Sequence, residues 1–213
     1  MDRHLGGRFR AWAVVAAFGD NLRDTAARLA RQLDLTPPEI DALRELGEAL
    51  NYNAYGETEA DLTIAPARLY ERMRPFADPL RFAAAEPVVQ RLTAAKTADL
   101  NSARDIAPMH VDDRTAVFVL PDAAWSRRVV GAFANELAAE APDRAHAVLA
   151  PNSQRGFSVS VRAPLSHPVG ADAFCQQFPS GGGRTGAAGI DHLPAADVRR
   201  FVTRFTQTQW NPA

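Results

Sequence analysis

A run of ten residues, Ser180-Gly181-Gly182-Gly183-Arg184-Thr185-Gly186-Ala187-Ala188-Gly189, constrains this chain more than any other stretch. Three consecutive glycines, then Arg184, then residues no larger than threonine describe a backbone that bends sharply and admits a close neighbour. Glycine reaches positive φ and has no Cβ, so its amides can turn toward an anion. Two readings stay open: a surface loop, since glycine marks loops generally, or a phosphate cradle on which Arg184 closes with its planar fork of donors. His192, just beyond in Ile190-Asp191-His192-Leu193, is either a strand-end residue or part of the same lining.

The stretches before the run carry strand and helix periods. Residues 115–120 are β-branched and apolar and end at Pro121-Asp122, a buried strand. Trp125, Val129, Phe133 and Leu137 recur every four residues, a helix. Residues 144–150 give a second strand. Residues 156–163 alternate cleanly, with Phe157, Val159 and Val161 on one side and Ser158, Ser160 and Arg162 on the other. Val198, Phe201, Val202 and Phe205 form the buried stripe of a terminal helix. Strands alternating with helices imply an α/β layer architecture for this part of the chain.

The first part reads as helical. Residues 11–18 are continuously apolar and fit a buried helix or strand equally; Gly19-Asp20-Asn21 then stops the element and caps the next. Leu22, Ala26, Leu29 and Leu33 follow at helical spacing. Thr36-Pro37-Pro38-Glu39 carries a capping box ahead of Ile40, Leu43, Leu46 and Leu50. Residues 84–106 read as one long connecting helix.

Of 24 basic residues Lys96 is the only lysine, and the net charge of −1 gives no overall pull toward nucleic acid, so such a contact needs a local cluster. The single cysteine, Cys175, excludes an intramolecular disulfide and a cysteine-rich zinc site and suits a reducing cytosol. Set between Phe174 and Phe178, it reads as core. His110-Val111-Asp112-Asp113 places a histidine near two carboxylates and reads as a solvated turn. There is no nucleophile elbow, Walker loop or paired zinc-binding histidines, and no apolar run long enough to span a membrane.

Gly181-Gly182-Gly183-Arg184 followed by Ala187-Ala188-Gly189 resembles the signature of the DHHA1 domain, the C-terminal half of the DHH (RecJ-like) phosphoesterases, with Arg184 where histidine is usual. Val159-Ser160-Val161-Arg162 resembles the strand that precedes it there, whose arginine helps hold substrate phosphate, and the resemblance implies a helix between the two motifs, over residues 168–178 here. Asn51-Tyr52-Asn53 and Tyr55-Gly56, then Asp61-Leu62 and Leu69-Tyr70, look like the closing part of the family's first domain. Asp20 after its apolar run is similar to the aspartate of the fourth metal-binding motif. The resemblance implies an α-helical remnant of the DHH domain over residues 1–83, a linker helix over 84–108 and an α/β DHHA1 domain with a mixed sheet over 109–213. It implies Arg162, Gly181, Gly182, Gly183 and Arg184 as substrate-binding residues and Asp20 as a metal ligand. Relatives use Mn2+ or Mg2+ to cleave phosphodiesters. The implied partner is single-stranded nucleic acid, a short oligonucleotide or a nucleotide, in a cytoplasmic protein with no membrane contact and a homodimer open.

The family's Asp-His-His and Asp-x-Asp motifs are absent from this sequence. The expectation is therefore a truncated or partial phosphoesterase that keeps phosphate recognition, binds no metal by itself and is inactive alone. A stand-alone nucleic-acid-binding or assembly module is the alternative.

Overall fold

The computed structural model of the chain describes residues 2–210, and the chain divides into two compact units, Met1–Ala98 and Asp99–Ala213.

The first unit is helical: α1 (Arg10–Gly19), α2 (Arg23–Ala30), α3 (Pro37–Tyr52), α4 (Pro66–Met73), α5 (Pro79–Ala85) and the start of α6 (Pro87–Arg104). The apolar run resolves as helix because α1 crosses α3 at backbone contact: a Cβ on Gly47 would lie 2.2 Å from the Val15 carbonyl oxygen. Val14, Val15, Ala26, Leu43, Leu46, Phe82 and Leu92 form the core, burying about 1.5–3 kcal/mol of transfer free energy per large side chain. The capping box at Thr36 and Glu39 is formed, the Glu39 carboxylate accepting from the Thr36 amide at 2.7 Å. Asn53 fixes the turn after α3, donating to the Ile64 carbonyl (2.8 Å) and accepting from the Ile64 amide (3.1 Å).

Three local expectations change here. Asn21 does not cap α2; it takes φ 56, and Leu22 occupies the N-cap position without a side-chain bond and is exposed. The helix stops at Ala30, so Leu33 lies beyond it. The long helix over 84–106 is two helices, because Pro87 has no N–H to donate and pushes Glu86 to an extended conformation, φ −98 and ψ 113.

The second unit is a six-stranded mixed sheet with helices on both faces. Its strands are β1 (His110–Val111), β2 (Thr115–Val119), β3 (Ala145–Asn152), β4 (Gly156–Arg162), β5 (Gly181–Arg184) and β6 (Ala187–Pro194), in the order β1-β2-β3-β4-β6-β5. Only β2 and β3 are parallel, joined by α7 (Ala124–Glu140) as the crossover. The α/β class expected from the strand–helix alternation is the class observed. The alternation in β4 sorts the two faces. Val159 and Val161 point into the larger core with Val117, Leu149 and Ile190, under α8 (Ala171–Cys175) and α9 (Val198–Gln207). There Phe174 meets Phe201, Phe205 and Trp210 with ring centroids 5.4–5.5 Å apart. The opposite face lies under α7, whose Phe133 stands edge-on to Phe118 of β2. The helix expected over 168–178 is only Ala171–Cys175: Pro168 precedes it and Gly170 enters it at φ 100.

His146 of β3 is buried on the α7 face, and its Nδ1 has no hydrogen-bond partner. Burial, then the charge of Arg144, pushes its pKa down from 6.5 to about 4, against a hydrogen bond with the Arg144 backbone. The native state therefore refuses a proton that the unfolded chain accepts below pH 6.5. This contribution is complete above pH 6.5 and is lost as pH falls toward 4, on the order of 3 kcal/mol. Urea denaturation between pH 7 and pH 4 should show that loss, and His146→Gln should flatten it. An equally steep loss in the variant would assign the pH dependence elsewhere.

Candidate functional site

The glycine run is not a loop. Gly181–Arg184 is the edge strand β5, paired antiparallel with β6 through a two-residue turn at Thr185-Gly186. Glycine's weak strand propensity hides this, and the pairing that imposes it comes from residues 187–190. The Gly181 amide donates to the Phe178 carbonyl, and the Asp191 amide to the Ser180 carbonyl. Ladder bonds therefore fall on Ser180, Gly182 and Arg184, and the N–H and C=O of Gly183 point to the open edge. A nest of several convergent amides does not form, because pairing consumes most of them.

Each glycine has its own reason. A Cβ on Gly181 would lie 1.9 Å from the Cys175 carbonyl oxygen, so the end of α8 excludes any side chain. Gly183 sits at φ 144, which other residues rarely reach, and a Cβ there would lie 2.5 Å from the Ala188 Cα. On Gly189 a Cβ would lie 2.8 Å from the Val159 carbonyl oxygen. Gly182 is different: a Cβ there would meet no atom of the chain within 4 Å, and its φ is ordinary.

Register brings several of the expected residues onto one face. Residues directly opposite in a ladder share a face, so Arg162, Ala187 and Arg184 form one row across β4, β6 and β5, and Ser160, Gly189 and Gly182 form the next. With strands about 4.8 Å apart, the two arginine Cα atoms stand about 10 Å apart. Between them lies a shelf made only of Ala187, Gly189 and Gly182. Gly181 and Gly183, on the alternate positions, belong to the opposite face, and of Gly183 only the backbone edge is offered.

The two arginines differ. Arg184 is exposed at the end of β5. Arg162 is tied down: Nε donates to Asn135 Oδ1 (2.7 Å), Nη1 to Ser160 Oγ (2.9 Å) and the Val161 carbonyl (2.9 Å), and Nη2 to the Gly131 carbonyl (3.2 Å). Sequence reasoning missed Asn135 and Gly131. The only signal present was their spacing, since two residues four apart on α7 share a helix face.

Other candidates resolve individually. Asp20 is exposed at the end of α1, in the first unit, and among the described residues no three His, Cys, Asp or Glu side chains gather as metal ligands. The residues present do not fit a divalent pair, which needs several oxygen or nitrogen ligands. Asp112 fixes the turn between β1 and β2, its carboxylate accepting from the Thr115 amide (2.7 Å) and the Arg114 amide (2.8 Å), with His110 Nε2 at 2.9 Å. Desolvation raises its pKa, and these bonds together hold it well below the carboxylate range. The Cys175 thiol is buried; burial, then the charge of Asp172, pushes it up to about 12 against the charge of Arg162, which leaves it inert as a nucleophile. His192 packs over Gly156 with Nδ1 3.2 Å from Asn152 Nδ2, at the far end of β6 from the arginine row.

The glycine assignments are separable by stability. Gly181→Ala and Gly183→Ala should each cost about 1–3 kcal/mol in urea denaturation, from overpacking and from backbone strain. Gly182→Ala should cost nothing or add about 0.5 kcal/mol by restricting the unfolded chain. A clear loss in Gly182→Ala would show that the chain itself requires that glycine.

No family model matches this chain, and no curated protein does. Among solved structures, one described as a member of the s1p family of ribosomal proteins, DHH domain, superposes with a TM-score of 0.54 at 11% identity. The match covers 94% of this chain and 49% of that one, so the chain spans about half the length of this neighbour. At that identity the likeness speaks to the fold alone: the helical unit and the six-stranded mixed-sheet unit have the fold of part of a DHH-domain protein.

Proposed function

We propose that the second unit is a DHHA1-like phosphate-recognition module of the DHH phosphoesterase type, and that its ligand is single-stranded nucleic acid or a short oligonucleotide or nucleotide. The observation that carries the reading is Gly182. Structural demands account for its two glycine neighbours, whereas nothing in the chain asks for a missing side chain at 182, on the shelf between Arg162 and Arg184. A bound group lying against the strand supplies the demand. Arginines at both ends of the row favour an anion, and the planar fork of the exposed Arg184 suits phosphate oxygens. The Gly183 N–H at the open edge adds a neutral donor. The DHH domain in the neighbour's description agrees with this reading.

The function assigned to this chain is binding. Cleaving a phosphodiester in the DHH manner uses divalent ions to generate the attacking hydroxide and to neutralise phosphoryl charge. Asp20 alone does not supply that donor set, and holding substrate and transition state equally gives no rate. A module serving nucleic-acid binding or assembly is the second reading, favoured by this lack of metal ligands among the described residues.

Fluorescence anisotropy with a labelled single-stranded hexathymidylate, competed by pyrophosphate, tests the proposal on the full chain. Arg184→Ala should weaken binding about tenfold or more, since a charge-assisted hydrogen bond contributes about 1.5–3 kcal/mol. Gly182→Val should weaken it comparably while the fold persists. Parent-like affinity in both variants would remove the shelf as a phosphate site.

A further inference from the structure

We propose that the solvent side of α9 is a second binding surface of this unit, one for the sugar-phosphate backbone of single-stranded nucleic acid. It stands on an element outside the glycine shelf and rests on the reading above only for the class of ligand.

The unit Asp99–Ala213 holds eleven arginines and eleven aspartates or glutamates, an even balance. Their distribution is uneven. Arg199, Arg200 and Arg204 lie within the ten residues of α9, which contain no carboxylate, and no aspartate or glutamate follows Asp197 in the sequence. Arg199, Arg200, Thr203, Arg204 and Gln207 are all exposed. Residues three and four apart on a helix are neighbours, so Arg200 and Arg204 form one row and Arg199 and Thr203 the row beside it. Within a row the helix advances about 6 Å along its axis. A basic stripe along one helix is the local cluster that nucleic-acid contact requires when the net charge supplies no pull.

Little cancels these charges. Among the described residues Arg199 and Arg204 form no ion pair, and Arg200 meets one part-exposed carboxylate, Asp197, at 3.4 Å. Other arginines of the unit are clamped more closely: Arg128 Nε by Asp99 at 2.8 Å and Arg104 by Glu136 at 2.9 Å. Neutral groups steady two of the three on α9. Arg204 Nη1 donates to Gln177 Oε1 at 3.1 Å, and Arg200 Cζ stands 5.2 Å from the centre of the Phe178 ring. Both contacts fall on the segment between α8 and β5, and Gln177 precedes Gly181 by four residues. The basic face therefore approaches β5 at its start, whereas Arg184 stands at its end.

The surroundings select the polyanion. A basic amphipathic helix binds an anionic membrane by burying its apolar face in the lipid. In α9 that face is already packed inside the protein: Phe201 and Phe205 are fully buried against Phe174, and Val198 and Val202 lie on the same core. A stable protein partner needs a desolvated centre with few charges, and the exposed side of α9 offers arginine, threonine and glutamine instead. Those side chains are the ones that contact phosphate and sugar oxygens.

The test uses the full chain and a labelled pentadecathymidylate in fluorescence anisotropy over a range of salt. The double variant Arg199→Gln, Arg204→Gln changes two exposed side chains, so its thermal midpoint should match the parent's. Its affinity should fall about tenfold or more, and the slope of log K against log salt should become shallower by about 1.4, the equivalent of two phosphate contacts on a single strand. The double variant Arg199→Lys, Arg204→Lys should keep the parental slope. Parental affinity and slope in the glutamine variant would overturn the proposal. So would binding of phosphatidylserine vesicles, lost in that variant, by a chain whose affinity for the oligonucleotide is unaffected. Arg184→Ala and Gly182→Val in the same titration separate the two surfaces. If they are weakened while the α9 variant is not, the shelf stands and this surface falls; the reverse pattern leaves α9 as the binding surface and removes the shelf.

Discussion

Strand β4 is the constraint on which the second unit depends. It is hydrogen-bonded on both sides, to β3 and to β6, so its register is fixed twice, and a slip of one residue would exchange its faces. That exchange would drive Ser160 and Arg162 into the cluster around Phe174 and take Val159 and Val161 out of it. The cost of burying a guanidinium among aromatic rings protects the register as firmly as the burial of the valines does. Because β4 is fixed, the row that begins at Arg162 continues through Ala187 to Arg184 by pairing alone.

The same strand explains why the two faces differ in kind. Under α8 and α9 the sheet meets a closed aromatic core. On the other side α7 packs on β3 and β4, while the Gly182 position of β5 has open space above it. The boundary between covered and uncovered sheet is where Arg162 sits, with its bonds to α7 on one side and the shelf on the other. A side chain there serves as an anchor for the helix and as a wall of the shelf at once.

Much of this was legible in the sequence, and the failures have physical causes. The alternation of β4 gave both faces correctly because successive side chains of a strand must point to opposite faces of the sheet. The capping box at Thr36 and Glu39 is a local device and formed as read. The split of the long helix was visible in Pro87, whose effect on Glu86 outweighs the helical pattern on either side. The glycine hairpin was hidden, since its strand character comes from pairing and its residues have none of their own. Leu22 misled because its spacing fits the helix while its backbone precedes it. Asn135 went unread as an arginine partner because the two lie 27 residues apart and meet only through the packing of α7 on β4.

The short strand β5 also ends the sheet in a form that gives a further strand little to pair with. Every open sheet offers its last strand as a template for further strands, and proteins guard such edges by brevity, twist or charge. Here the edge is four residues long, Gly183 bends it out of ideal pleat with φ 144, and Arg184 ends it with a charge. The opposite border, β1, has only two residues. A surface open enough to admit a ligand against bare backbone is thus one on which a neighbouring strand finds little length to grip. The glycines that open the shelf are the ones that keep this edge short and bent.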